Sequence, residues 1–324
     1  MRTLQKLLLA SCAALAAFTA QAETYPSRTI RLIVPFSPGG PTDVVARSLA
    51  VAMGNALGQT MVVENRASSG GIVGASAVAR AEPDGYTLLI HNIGFSTLPA
   101  LSHTLSFDPM KDFAFIGQVV DVPMTLVGRK DLEPTGFAEL RSYIAAKGKQ
   151  INISNAGIGT ASHLCGLLLM NRLGVSMTSV PYRGAAPAMT DLMGGVVDLL
   201  CDQVTTTTQP IVTQRVKPYG STTAARLPTL PEVKTLQEQG LANFEISVWH
   251  GIYAPRQTPK AIVDRLSAAL RAALVDPTFR ESMAKLGAVP VDASKATPEG
   301  LSTHLKSEIA KWTPIIEQSK AYLE

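Results

Sequence analysis

The 324-residue chain carries 29 Lys and Arg against 25 Asp and Glu, a formal net charge of +4, with charged residues at 17%. Its basic residues are scattered and form no Lys/Arg-rich run, which argues against nucleic-acid binding. The five histidines and three cysteines show no C-x-x-C or H-E-x-x-H spacing, so we expect no metal and no cofactor.

The N-terminus predicts an export signal. Arg2 and Lys6 lead into an apolar run over residues 7–18 that is too short to span a bilayer. A small-x-small pattern predicts cleavage after Ala22, which leaves a soluble exported chain of net charge about +2 because the leader holds two basic residues and no acid. A lipid on Cys12 is the alternative, although the apolar run before it would be unusually short.

The first predicted strand and helix enclose a glycine-rich loop. Apolar residues 30–34 predict the strand, the loop V-P-F-S-P-G-G-P-T-D follows, and Thr42 and Asp43 are good N-caps for a helix over residues 43–57. Free N–H groups at a helix N-terminus, with Gly where the backbone must come close, can hold an anion. Because the loop matches neither G-x-G-x-x-G nor a Walker A motif, it favours a carboxylate over a phosphate. An ordinary strand–helix turn is the alternative.

The rest of the chain alternates strands with helices, which predicts parallel sheets covered by helices. Strands are predicted at residues 60–64, 87–91, 114–120, 124–128, 151–154, 179–182, 197–201, 218–221 and 246–254. Further helices are predicted at residues 74–81, 136–146, 162–173, 185–194, 206–214, 259–274, 277–286 and 298–318. The last three helices should pack on the first sheet.

Two cysteines remain after removal of the leader. Cys165 lies in an apolar helix-like run and Cys201 follows a strand-like run. They could pair in an oxidising compartment, but these contexts favour two buried free thiols.

A series of motifs carries a family resemblance. The motifs occur in this order along the chain: I-R-L-I-V-P-F-S-P-G-G-P-T-D, V-V-E-N-R-A-S-S-G-G, P-D-G-Y-T-L-L, N-A-G-I-G-T-A-S-H-L, V-P-Y-R-G-A-A-P-A-M-T-D-L, G-G-V-V-D-L-L-C-D and W-H-G-I-Y-A-P. In this series the chain resembles the Bug (Bordetella uptake gene)/TctC family, the periplasmic solute-binding proteins of tripartite tricarboxylate transporters. The likeness runs from about Tyr25 to the C-terminus.

The resemblance implies an α/β, two-lobed fold like type II periplasmic binding proteins, with mostly parallel sheets, helices on both faces and a ligand cleft between lobes that close. The implied boundaries are a signal peptide at residues 1–22, lobe one at 23–123 plus 243–324, and lobe two at 124–242, with crossings near 122–124 and 222–243. The implied function is capture of a small di- or tricarboxylate and its delivery to the membrane permease subunits of the transporter, by a monomer that is not an enzyme.

The family's ligand contacts carry over onto loops at strand ends, where open α/β sheets bind ligands. In lobe one the expected ligand-binding residues are Phe36, Ser37, Gly39, Gly40, Thr42, Asp43, His91, Asn92, Phe95 and Ser96. In lobe two they are Asn155, Gly157, Gly159, Thr160, His163, Arg183 and Asp202.

Individual roles follow from the chemistry of these side chains. For Asp43 we favour helix capping and loop ordering, and Thr160 is expected to donate its hydroxyl and its N–H to a ligand carboxylate. Arg183 could pair with the anion, with Asp191 or with Asp202. Two roles stay open: His163 is either a structural residue or a ligand contact, and Trp249 either floors the cleft or packs in the core.

The loop after the third strand suggests a ligand type. His91 and Phe95 are bulky where small residues are expected, so we hypothesise a pocket shaped for an aromatic dicarboxylate such as terephthalate.

Two other functions remain as alternatives. A periplasmic sensor that presents its solute to a histidine kinase needs the same closing cleft. A hydrolase is disfavoured because the chain contains no G-x-S-x-G elbow.

Overall fold

The computed structural model of the protein describes residues 25–101 and 105–318. The predicted signal peptide and the alternative lipid site at Cys12 lie outside this range. The strands are β1 (Ile30–Val34), β2 (Met61–Asn65), β3 (Thr87–Asn92), β4 (Phe113–Arg129), β5 (Asn152–Asn155), β6 (Thr178–Pro181), β7 (Leu199–Gln203), β8 (Val216–Ser221), β9 (Ser247–Pro255) and β10 (Val289–Pro290).

Helices cover the strands. They are α1 (Pro41–Leu57), α2 (Ile72–Ala79), α3 (Leu98–Leu101), α4 (Phe137–Lys147), α5 (Ala161–Leu173), α6 (Ala185–Met193), α7 (Val204–Val212), α8 (Lys260–Val275), α9 (Pro277–Lys285) and α10 (Pro298–Gln318). Short 3₁₀ turns span Ser69–Gly71, Ile93–Ser96 and Gly148–Gln150.

Strand β4 belongs to two ladders. One ladder has the order β2–β1–β3–β9–β4, and the other has the order β4–β7–β5–β6. Residues 113–123 of β4 pair with β9, whereas residues 124–129 pair with β7 and β8. The lobe boundaries remain a prediction, and this change of partner within β4 agrees with a crossing near residues 122–124.

The sheets are more mixed than expected. Among the described residues four strand pairs are parallel and five are antiparallel. The expectation of mostly parallel sheets is therefore wrong, because β9 runs antiparallel to β3 and β4 in one ladder, and β4 runs antiparallel to β7 and β8 in the other. The two strands predicted on either side of residues 121–123 are one strand. Pro123 lies where pairing passes from one ladder to the other, a place that tolerates a missing N–H donor.

The two connections between the ladders touch each other at Thr222. Its N–H donates to Met124 O (3.0 Å), and its hydroxyl donates to Ile246 O (2.6 Å). Ile246 N–H in turn donates to Thr222 O (3.2 Å). Thr222 is fully buried, so the chain segments that join the two halves form one hydrogen-bonded unit.

The C-terminal helices pack as expected. Helices α8 and α10 contact β4, and α8 also contacts α1. Leu266 and Leu270 of α8 are fully buried, four residues apart on one face of the helix. Burial of each such side chain contributes about 1.5–3 kcal/mol.

The two mature cysteines form a disulfide, so the expectation of free thiols is wrong. Cys165 of α5 and Cys201 of β7 are bonded, with their Cα atoms 6.0 Å apart. Both are buried, as their apolar contexts predicted. Burial alone does not separate a buried thiol from a disulfide, however; the pairing depends on α5 crossing β7.

Candidate functional site

Four helices begin at one small cavity between the two ladders. The cavity is lined by Phe36, Gly40, Pro41, Thr42, Asn92, Ala156, Thr160, Ala161, Ser162, Ala185, Asp202 and Gln203. Most of these residues lie at or directly before the starts of α1, α5, α6 and α7, and Asn92 ends β3. The volume is about 20 Å³, which is room for about one water molecule. The cleft is therefore closed in this structure.

The first turns of these helices present free main-chain donors. Within the described residues, the N–H groups of Thr42, Ala161, Ser162 and Ala185 make no hydrogen bond. Each helix N-terminus carries a partial positive charge of about half a unit. The convergence of four such ends makes the cavity attractive to an anion, and no Lys or Arg stands among its lining residues.

Asp43 orders the lobe-one loop. Its carboxylate accepts hydrogen bonds from Gly39 N–H (2.9 Å), Arg47 Nε (2.8 Å) and Asn65 Nδ2 (2.8 Å). Burial would raise the pKa of Asp43, but these hydrogen bonds hold it below its usual value. The loop-ordering role agrees with the interpretation from sequence. The capping role is wrong, because α1 starts at Pro41 with Gly40 as N-cap.

Thr42 and Asn92 supply the polar side chains of the lobe-one wall. Asn92 Oδ1 accepts from Gly94 N–H (3.0 Å), and its Nδ2 donates to Thr42 Oγ1 (3.1 Å). Thr42 Oγ1 also lies 3.2 Å from His250 Nε2. His250 is fully buried, and this burial lowers its pKa to about 3, so its ring is neutral.

Sequence reasoning missed His250. The available signal was strand alternation along β9, which turns neighbouring side chains to opposite faces. Trp249 packs against the ring of His304 and donates to Glu308 Oε2 (3.2 Å), in the core. His250, the next residue, must therefore face the cleft side.

Thr160 lines the cavity but does not offer the donors expected of it. Its N–H (3.1 Å) and its hydroxyl (2.6 Å) both donate to Gly157 O. The prediction that both groups face a ligand is thus wrong for this closed form. The tight turn, with positive φ at Gly157 and Gly159, brings the Gly157 carbonyl under Thr160.

Asp202 adds a titratable carboxyl to the lobe-two wall. It is 1% exposed and accepts a hydrogen bond from Thr206 Oγ1 (2.7 Å). Burial raises the pKa of Asp202 to about 6, against the opposing hydrogen bonds from Thr206 and the Gln203 main chain. Beside it, Gln203 Oε1 is buried and accepts no hydrogen bond from the described residues.

His91 and Phe95 do not line the cavity. The His91 ring packs against Phe36 (5.3 Å between centroids) and Phe95 (4.8 Å), and its Nδ1 accepts from Asn92 N–H. Phe95 is fully buried against Phe113 and other core rings. Their size therefore serves the core, and the reason for favouring an aromatic ligand is lost.

Arg183 is exposed and makes no ion pair within the described residues. Asp191 instead accepts from Tyr182 Oη (2.6 Å), and Asp202 accepts from Thr206. The two carboxylate partners considered for Arg183 are therefore wrong, and its side chain does not reach the cavity wall.

The remaining expected residues stand outside the lining and support it. Asn155 Oδ1 accepts from Gly157 N–H (2.9 Å), His163 Nδ1 accepts from Gly159 N–H (3.2 Å), and Ser96 Oγ donates to Ile93 O. His163 is buried, which lowers its pKa to about 4. Ser37 and Gly39 also stand outside the lining.

One side-chain bond joins the two halves beside the cavity. Thr97 Oγ1 donates to Gly159 O (2.8 Å) and also lies 2.9 Å from Gly94 O. This hydroxyl therefore connects the turn after β3 to the loop before α5.

Comparison with known families assigns the fold around this cavity. Residues 45–320 match the family described as "Tripartite tricarboxylate transporter family receptor", TctC. The chain belongs to the TctC family. This confirms the resemblance seen in its motifs. TctC proteins are binding proteins, so the prediction that the chain is not an enzyme is confirmed as well.

Three solved structures resemble about nine tenths of the chain. The periplasmic binding protein BugD is 47% identical, with a TM-score of 0.89 and coverage of 91% of this chain and 99% of BugD. MatC from Rhodopseudomonas palustris, solved with bound malate, is 36% identical, with a TM-score of 0.86 and coverage of 90% and 100%. R. palustris Rpa4515, solved with adipate, is 32% identical, with a TM-score of 0.87 and coverage of 91% and 98%. The α/β periplasmic-binding-protein fold is thereby confirmed.

No helix in residues 25–101 and 105–318 is long and apolar enough to cross a membrane. In the same residues no group of three or more His, Cys, Asp or Glu side chains is arranged to hold a metal ion.

Proposed function

We propose that this TctC protein captures a small di- or tricarboxylate in the periplasm and delivers it to the membrane subunits of a tripartite tricarboxylate transporter. The observation that carries the proposal is the convergence of four helix N-termini on one cavity without a Lys or Arg in its wall. Carboxylates suit such a site because main-chain N–H groups donate charge-assisted hydrogen bonds to both oxygens. The malate and adipate bound by MatC and Rpa4515 are acids of this class.

The expected affinity follows from the number of donors. A hydrogen bond to a charged group contributes about 1.5–3 kcal/mol. A few of these bonds reach about −8 kcal/mol, which corresponds to a micromolar Kd. Because the closed cavity holds only about 20 Å³, the lobes must separate to admit an acid, and a bound acid would then bridge them.

Titration calorimetry tests the ligand class. We expect at least one of malate, adipate, citrate, glutamate, phthalate and terephthalate to bind with a micromolar or lower Kd. Terephthalate stays in the panel because the ring of Phe36 lies in the wall. Adipamide, which matches adipate in length without its charge, is the control and should not bind. If none of the acids binds, the proposal fails.

Delivery to a transporter needs a separate test. We expect deletion of the gene to abolish uptake of the radiolabelled acid that binds in calorimetry, and plasmid-borne protein to restore it. Unchanged uptake, with loss of a transcriptional response to the acid, would instead identify a sensor. The signal sequence predicts that the protein is found in a periplasmic extract.

A further inference from the structure

We propose that His250 is a positioning residue for ligand binding, which fixes the Thr42 hydroxyl so that its hydrogen points at the acidic ligand. The inference rests on the proposed function for its ligand class. The inference is based on a buried series of hydrogen-bonded side chains beside the cavity. Asn92 Nδ2 lies 3.1 Å from Thr42 Oγ1, which lies 3.2 Å from His250 Nε2.

Asn92 fixes the first contact. Its Oδ1 accepts from Gly94 N–H (3.0 Å), so the amide orientation is set and Nδ2 must be the atom that faces Thr42. Nδ2 carries only hydrogens, so Thr42 Oγ1 accepts this bond. One lone pair of the Thr42 hydroxyl is thus occupied. Its second lone pair and its hydrogen are still available for other partners.

The ring of His250 decides where that hydrogen goes. Nδ1 of His250 is buried and has no hydrogen-bond partner among the described residues. The Val248 carbonyl lies near the ring but forms no hydrogen bond with Nδ1, so a proton on Nδ1 would be a buried N–H without a formed hydrogen bond, which is less favourable than an unpaired lone pair. The proton of the neutral ring therefore belongs on Nε2, which donates to Thr42 Oγ1.

With both lone pairs occupied, the Thr42 hydroxyl can act only as a donor. Thr42 and Asn92 are both in the cavity wall, so the hydroxyl hydrogen and the second Nδ2 hydrogen of Asn92 are the side-chain donors that lobe one offers. In the opposite tautomer His250 Nε2 would accept the hydrogen of the Thr42 hydroxyl. The Thr42 oxygen would then present only a lone pair to the ligand carboxylate, which would repel it.

The tautomer is measured on the unliganded protein by long-range ¹H–¹⁵N correlation of ¹⁵N-histidine-labelled chain. We expect His250 to carry its proton on Nε2, with the signal assigned by its loss in His250→Gln. A proton on Nδ1 overturns the inference. This arm needs no ligand, so it gives an answer even if the calorimetric panel fails and the proposed function falls.

A double-mutant cycle then tests the role in binding, with the tightest acid of the calorimetric panel as probe. We expect Thr42→Val and His250→Phe each to raise Kd about tenfold, and the double variant to be no weaker than either single one. His250→Gln keeps an N–H near the Nε2 position and should recover most of the loss. Additive losses would overturn the inference, because His250 would then act independently of Thr42.

A matched substitution controls for burial. His304→Phe makes the same chemical change in a half-buried ring. The His304 ring packs on Trp249, the neighbour of His250 in sequence, and it does not line the cavity. We expect its Kd to be unchanged. If His250→Phe does not fold, as judged by circular dichroism, Thr42→Ser and His250→Gln with the tautomer measurement still decide the outcome.

Discussion

The two walls of the cavity are built by different means. The lobe-one wall is ordered by hydrogen bonds that converge on Asp43 and on Thr42. The lobe-two wall is held by a covalent bond, because Cys165 lies one turn into α5 and Cys201 precedes Asp202. The disulfide therefore ties together two elements whose ends line the cavity. The lobe-one wall depends on charges and polar side chains, whereas the lobe-two wall combines a covalent bond with the titratable carboxyl of Asp202.

The largest expected effect is loss of the disulfide. Cys165→Ala/Cys201→Ala frees a loop with a sequence separation of 36 residues, and the chain-entropy estimate for a loop of this length is about 4 kcal/mol of unfolding free energy. Urea unfolding of oxidised wild-type protein and of the variant measures it. The wild type in reducing agent is the internal control and should match the variant. Equal midpoints for all three would show that the pair does not stabilise lobe two.

The second effect is a pH dependence from Asp202. Its folded-state pKa of about 6 lies above the ordinary aspartate value of 3.8, so the folded chain binds this proton more tightly than the unfolded chain. The resulting stability is present in full below about pH 4 and is lost as the pH rises through about 6, to a total of about 3 kcal/mol. Asp202→Asn should remove this part of the pH profile.

Asp202→Asn is measured by thermal unfolding from pH 4 to pH 7, with wild type alongside. The gap between the two Tm curves should widen in favour of the variant as the pH rises. Asp198→Asn, a change at a part-buried carboxylate paired with Arg129, is the control and should lack this trend. Parallel Tm curves for Asp202→Asn and wild type would contradict a raised pKa.

The third effect tests the polar wall. Asp43→Ala removes the acceptor for Gly39, Arg47 and Asn65, and we expect it to lower the unfolding free energy by about 2 kcal/mol. Asp264→Ala breaks an exposed ion pair with Lys260 at the same i,i+4 spacing and should change it by less than about 0.5 kcal/mol. Chemical denaturation compares the two. If both variants lose equally little unfolding free energy, water must replace the hydrogen bonds that Asp43 accepts.

The sequence predicted the positions of the cavity loops better than the direction of their side chains. Strand–helix alternation and the loop around Gly40 located the helix ends correctly, because these depend on local propensity and on turn residues. His91 and Phe95 could not be assigned to core or cleft from the sequence. They lie on β3 and on the turn after it, and the face that meets the core is decided by packing against β9.

The partners of the side-chain hydrogen bonds could not be predicted from the sequence either. Thr160 has the right chemistry and the right place, but the turn geometry sends both donors to Gly157 O. His250 was missed because its partner Thr42 is 208 residues away. Contacts of this range are decided by the assembled fold, and no local pattern encodes them.

The smallest expected effect concerns the bond that joins the walls. Thr97→Val removes the hydroxyl that donates to Gly159 O, which we expect to weaken the closed form by about 1 kcal/mol. Because an acid binds between closed lobes under the proposed function, the same loss should raise its Kd about fivefold. Small-angle scattering of the unliganded variant should report a larger radius of gyration.

Thr258→Val is the matched control for this effect. Thr258 is also buried, and its hydroxyl donates to Pro255 O (2.7 Å) within the same loop. Its loss should lower Tm about as much as Thr97→Val does while leaving the radius of gyration unchanged. If both variants keep the wild-type radius and Kd, the Thr97 bond does not restrain the lobes, and closure then depends on the main-chain contacts around the cavity alone.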